Sequence, residues 1–186
     1  MSEAADALLE RCLDVLRQTG FSQLSLREIA AAVGISHRML IYHFGSREGL
    51  LARVVERMES AQRAMLAELT TGDGTIFEIS RAFWERVTAP AMLPAQRLFF
   101  EIYVQALYGR DWTAAFRESV INAWERPLTE LFERAGLDAG PAGTHARLGL
   151  AVTRGLGLDL LMTGERAQVE AAMELFATMI RNELDG

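Results

Sequence analysis

The chain has 186 residues, 50% of them hydrophobic, enough to bury a sizeable core. Its single cysteine, Cys12, excludes an intramolecular disulfide and a cysteine-rich zinc site, and no apolar run approaches the roughly 18 to 20 residues that span a bilayer. The N-terminus also lacks the basic start of a signal peptide, so a soluble, cytoplasmic protein without a membrane partner is expected.

Net charge is −6, which speaks against a uniformly basic nucleic-acid binder. The acidity is unevenly placed, however. Residues 1–70 carry 8 arginines against 9 acids and residues 71–186 carry 11 against 16, while Ser36 to Arg47 holds two arginines, two histidines and no acid.

Taken in chain order, helical periodicity runs nearly throughout and no stretch alternates with period two, so an all-α fold of about nine helices is expected. Leu9, Cys12, Leu13 and Leu16 share one face of a first helix that stops at Gly20, which makes Cys12 a core residue. Ser25-Leu26-Arg27-Glu28 reads as a capping box opening a second helix through Ile29, Ala30 and Val33 to Gly34. Ser36 caps a third helix, His37 to Phe44. Gly45-Ser46 punctuates before a long fourth helix toward Leu69, and Thr71 to Gly74 ends it. Five further helices are expected at about Thr75 to Val87, Ala95 to Tyr108, Trp112 to Ala135, Ala142 to Met162 and Ala167 to Leu184. The breaks lie at Pro90 to Pro94, Gly109 to Asp111, Gly136 to Gly143 and Gly164.

Ala30, Gly34 and Leu40 have the spacing of a helix-turn-helix: a small residue where the helices cross, a glycine for the positive φ of the turn, and an apolar wedge with Ile29 and Ile35. The longer run AAAVGISHRMLIYHFGSREGLL resembles the N-terminal signature of the tetracycline-repressor (TetR) family of bacterial regulators. The resemblance covers roughly residues 5 to 55. It implies a three-helix DNA-binding domain over 1–47 and a helical domain over 48–186 that dimerises and binds a small-molecule effector, the whole acting as a homodimeric repressor released from a palindromic double-stranded DNA operator. By the same resemblance, His37, Arg38 and Met39 read base edges, Ser25, Ser36, Tyr42 and Arg47 clamp phosphates, Arg27 reaches the groove, and His43 supports the helix or a backbone contact. Three positions depart from the family's pattern: Arg38 stands where a small residue is common, Met39 where threonine or serine is usual, and Ile41 where tyrosine is usual.

In the rear of the chain, Gly149, Thr153 and Gly157 form a row of small residues, and with Arg154 and Asp159 they are the expected dimer interface. Aromatic residues are dense between Phe77 and Trp124. Phe77, Trp84, Phe100, Glu101, Tyr103, Gln105, Tyr108 and Trp124 are the candidate lining of an effector pocket, with Glu101, Gln105 and Tyr108 on one helix face. The three histidines, at 37, 43 and 145, form no H-x-x-x-H or H-E-x-x-H pair, and neither a phosphate-cradling glycine loop nor a G-x-S-x-G elbow occurs. No catalytic, metal or cofactor site is therefore expected, and the competing reading is a helical ligand-binding or interaction protein that does not bind an operator.

Overall fold

A computed structural model describes residues 3–184, and among these there are nine α-helices and no strand. In order they are α1 (Glu3–Thr19), α2 (Leu26–Ala32), α3 (His37–Phe44), α4 (Arg47–Leu69), α5 (Ile76–Val87), α6 (Leu93–Leu107), α7 (Ala114–Arg134), α8 (Ala139–Thr163) and α9 (Arg166–Leu184). The all-α architecture expected from periodicity is the one observed. No helix among the described residues is long and apolar enough to cross a membrane.

Helix ends follow from local chemistry. Ser25 accepts from the Glu28 amide at 3.3 Å and donates its own amide to Glu28 Oε2 at 2.7 Å, completing the capping box. These bonds from Ser25 hold the Glu28 carboxyl below its ordinary range. Thr75 and Glu78 repeat the device at the start of α5.

Three boundaries differ from expectation, and one is α6, which already begins at Leu93 so that Pro94 stands in its first turn and not in the break before it. Three-residue 3₁₀ turns occupy Pro90–Met92 and Asp111–Thr113, so Trp112 precedes α7 instead of opening it. Helix α8 begins at Ala139, not near Ala142, because a proline in the first turn forfeits no intrahelical bond and Pro141 is tolerated there.

The chain divides into two compact units. The first comprises residues 1–62 and 94–118; it buries Leu9, Cys12, Leu13 and Leu16 of α1, Ile29 and Ala30 of α2, Leu40 of α3, Leu50, Leu51 and Val54 of α4, and Leu98 and Ile102 of α6. Burial pushes the Cys12 thiol up to about 11, which leaves it an inert core residue. The ion pair of Arg57 with Glu10 ties α4 to α1.

The second unit comprises residues 63–93 and 119–186. One of its clusters gathers Leu66, Ile76, Ile79, Trp124, Leu131, Phe132, Ala142, Ala146, Leu150 and Ile180; another gathers Trp84, Val87, Leu160 and Val169. Arg166 Nη2 donates to the Thr88 carbonyl at 2.5 Å, joining the start of α9 to the end of α5.

Candidate nucleic-acid interface

The interface is built on the α2–turn–α3 pair. Ile29 and Ala30 are buried beneath α3, whose own Leu40 and Phe44 point inward. Between the helices Gly34 has φ +73°, the left-handed value that the turn demands and that only glycine adopts without strain. The Ile35 amide donates to the Ala30 carbonyl at 3.0 Å, which closes the turn.

Helical geometry then decides what α3 shows to its surroundings. With successive residues about 100° apart, turning Leu40 and Phe44 inward puts Arg38 and Tyr42 at the centre of the opposite face and Met39 and Ile41 on its two flanks. Observed exposure agrees: all four are exposed, Tyr42 at 79%, while His37 and His43 are half-buried. Ser36 accepts from the Met39 amide at 3.2 Å, and its hydroxyl proton stays available to donate outward. Ser25 and Arg27 are also exposed at the start of α2. No carboxylate occurs between Glu28 and Glu48, so α3 itself carries no acid.

Arg47 is placed differently from the other clamp candidates. Its Nε donates to the Leu24 carbonyl at 3.2 Å, its Nη2 donates to the Phe21 carbonyl, and the guanidinium lies 5.2 Å from the centre of the Phe21 ring. Its fork is thus engaged with the α1–α2 loop. A sequence signal existed for this: a cation in the first turn of a helix opposes the helix dipole and needs acceptors of its own. The same loop is held from a second side, since the Phe21 amide donates to Glu101 Oε2 of α6 at 2.9 Å and the Phe21 ring meets Trp112 edge-on at 6.3 Å. Phe21, Leu24 and Trp112 were not singled out by sequence, because contacts spanning more than 20 residues leave no local pattern.

At the junction of α3 and α4 the backbone closes tightly. A Cβ on Gly49 would lie 2.1 Å from the Phe44 carbonyl oxygen, and the Gly49 amide donates to Ser46 Oγ at 3.0 Å. Glycine at 49 is what allows α4 to begin this close to the end of the exposed helix.

The model of the family described as bacterial regulatory proteins, tetR family, matches residues 8–54, the stretch that holds this helix pair. That N-terminal segment belongs to the tetR family. Similar solved structures extend the likeness over the chain. A transcriptional regulator from a Rhodococcus species superposes with a TM-score of 0.81 at 22% identity, over 96% of this chain and 96% of its own. A TetR-family member from Streptomyces coelicolor gives 0.70 at 22% identity, over 95% and 98%. A TetR-family transcriptional regulator from Agrobacterium tumefaciens gives 0.66 at 26% identity, over 90% and 92%. A comparison with curated proteins gives no match. The fold is the one these regulators share, and the segment matched by the tetR-family model is the one that forms the helix-turn-helix.

Of the candidate pocket residues, five belong to the first unit and three to the second. In the first unit Phe99 packs edge-on against Phe100 and Phe116 and lies beside Tyr103, Glu101 is engaged with Phe21, Gln105 is half-buried, and Tyr108 is 76% exposed. In the second unit Trp84 sits in one apolar cluster, and Phe77 and Trp124 belong to the other. Arg181 stacks over the Phe77 ring at 4.6 Å. An open groove of about 450 Å³ in the second unit is lined by Thr70, Pro127, Glu130, Glu133 and Arg134, none of them a sequence candidate.

The dimer candidates lie on α8. Gly149, Thr153 and Gly157 are half-buried, and Asp159 is exposed. Arg154 donates Nη2 to the Val120 carbonyl of α7 at 2.5 Å, an engagement within its own unit. Beside this row runs an exposed stripe of Leu148, Ala151, Gly155, Leu158 and Met162, and α9 exposes Leu175 and Met179. Among the described residues no group of three histidine, cysteine, aspartate or glutamate side chains is placed to hold a metal ion.

Proposed function

We propose that the protein is a cytoplasmic, non-enzymatic transcriptional repressor that binds a palindromic DNA operator as a homodimer and leaves it when a small-molecule effector binds. The observation that carries this reading is the acid-free, solvent-facing side of α3, with Arg38 and Tyr42 at its centre and Ser36 capping its start. Residues 1–47 supply the DNA-binding head and 48–186 the dimerisation and effector-binding body. His37, Arg38 and Met39 face base edges, and Arg38 suits a bidentate pair with guanine. Ser25, Ser36 and Tyr42 position the head on phosphates, Arg27 lies at the groove edge, and His43 supports α3 from behind. Arg47 acts by fixing the α1–α2 loop.

The stripe on α8 supports dimerisation. Residues 148, 151, 155, 158 and 162 follow three- and four-residue spacing, as a helix does when a partner helix covers it, and Leu175 and Met179 continue the apolar surface on α9. A symmetric pairing of α8 and α9 with a second copy covers both stripes in one four-helix contact. Gly149, Thr153 and Gly157 then flank the contact.

Selection of random duplexes by the purified protein tests the whole reading. An inverted repeat with half-sites about one or two helical turns apart is expected, with log affinity falling steeply as log salt rises. Absence of any enriched repeat, or affinity indifferent to salt, refutes it. Sedimentation tests the dimer: replacing Leu158 and Met179 together with glutamate is expected to give a folded monomer with weakened operator binding, and a double variant that stays dimeric removes this interface.

A further inference from the structure

Met39 and Ile41 are 45% and 40% exposed on a helix whose other outward residues are polar or cationic. The buried residues of this helix are Leu40 and Phe44, and Met39 and Ile41 are not among them. Both stand within the acid-free segment, flanking Arg38 and Tyr42 on opposite sides. An apolar side chain there gains nothing from water and forms no hydrogen bond with a phosphate. The major-groove edge of DNA offers one apolar group, the 5-methyl of thymine.

Resting on the reading that α3 enters the major groove, we propose that Met39 and Ile41 are specificity-determining residues that read thymine methyl groups, one on each side of the base pairs faced by Arg38. The operator half-site is then defined partly by packing: a thymine is required where each side chain lands, and a cytosine there lacks the methyl and puts an amino group against an apolar surface. The two exposed apolar residues are thereby accounted for by the same docking that uses the cationic centre of the helix. A partner protein covering this face is the competing outcome, and it makes no use of a thymine methyl.

The experiment uses the full-length protein and its selected operator. Each thymine of a half-site is replaced in turn by deoxyuridine, which pairs identically but lacks the methyl, and affinity is read by fluorescence anisotropy at fixed salt. Burying one methyl group corresponds to about a fourfold change in affinity per half-site, and about fifteenfold when both half-sites are substituted. Sensitivity is expected at two thymines: Met39→Ala abolishes it at one and Ile41→Ala at the other, whereas Met39→Leu and Ile41→Val retain it. Circular dichroism confirms that the variants keep their helix content. The proposal is overturned if an operator is selected but every deoxyuridine duplex binds within twofold of the thymine duplex, or if both alanine variants keep the wild-type pattern. Those results leave operator binding standing, whereas failure to enrich any sequence overturns the DNA-binding reading and this proposal together.

Discussion

Replacing Arg47 with alanine removes three interactions at once: the bond to the Leu24 carbonyl at 3.2 Å, the bond to the Phe21 carbonyl, and the guanidinium's stacking on the Phe21 ring. A hydrogen bond from a charged donor contributes about 1.5 to 3 kcal/mol when buried, and a cation over an aromatic ring about 0.5 to 1. Because the site is only half-buried and water replaces part of what is lost, the expected cost is about 2 to 4 kcal/mol. Lysine at this position recovers less than half, since an ammonium lacks the planar fork that reaches two carbonyls while lying flat on a ring. Urea unfolding followed by far-ultraviolet circular dichroism measures the loss as a shift in midpoint at constant slope. Where the variant remains folded, operator affinity should fall alike for matched and mismatched sequences, because the head is displaced without losing a base contact. If alanine changes stability by less than about 0.5 kcal/mol while operator affinity still collapses, Arg47 is a direct phosphate ligand and the loop-fixing role is wrong.

Gly49→Ala is expected to destabilise the chain by about 1 to 3 kcal/mol, since its methyl meets the Phe44 carbonyl at 2.1 Å and the backbone at the α3–α4 junction has to open; unchanged unfolding in urea contradicts this. His145 links α8 to α9, with Nδ1 donating to the Pro141 carbonyl at 2.8 Å and Nε2 lying 3.1 Å from the Glu183 carboxylate. The Pro141 bond, aided by Glu183, raises the folded-state pKa above 6.5 against an opposing effect of burial, so its contribution is complete below that value and is lost as pH rises through the folded pKa. The stability difference between wild type and His145→Gln should therefore shrink from pH 6 toward pH 9 in thermal melts, and a constant difference refutes the assignment.

Sequence carried the head well because its determinants are local. Ser25 with Glu28, Ser36 with Met39, and the positive φ at Gly34 all depend on residues three or four positions apart, and each is found where spacing put it. The nine helices were legible for the same reason. The reach of Glu101 back to Phe21 was not, since nothing at 101 marks a partner 80 positions earlier, and a carboxylate on an aromatic helix reads equally as a pocket wall. The small-residue row on α8 was visible, but which side of the helix faces its own neighbours depends on packing. Arg154 reaches α7, and the exposed stripe begins one residue away at Leu148.

The contacts made by Glu101 and Trp112 bear on how heads of this kind can be exchanged between regulators. Residues 1–47 contain the reading helix, yet the loop between α1 and α2 is secured by a carboxylate from α6 and an indole from the turn before α7. A chimera spliced at residue 47 would keep the reading face and lose the Phe21 amide's acceptor. The compact unit that holds this loop is discontinuous in sequence, residues 1–62 together with 94–118, so a single crossover at residue 47 is expected to leave the transferred α1–α2 loop less firmly held.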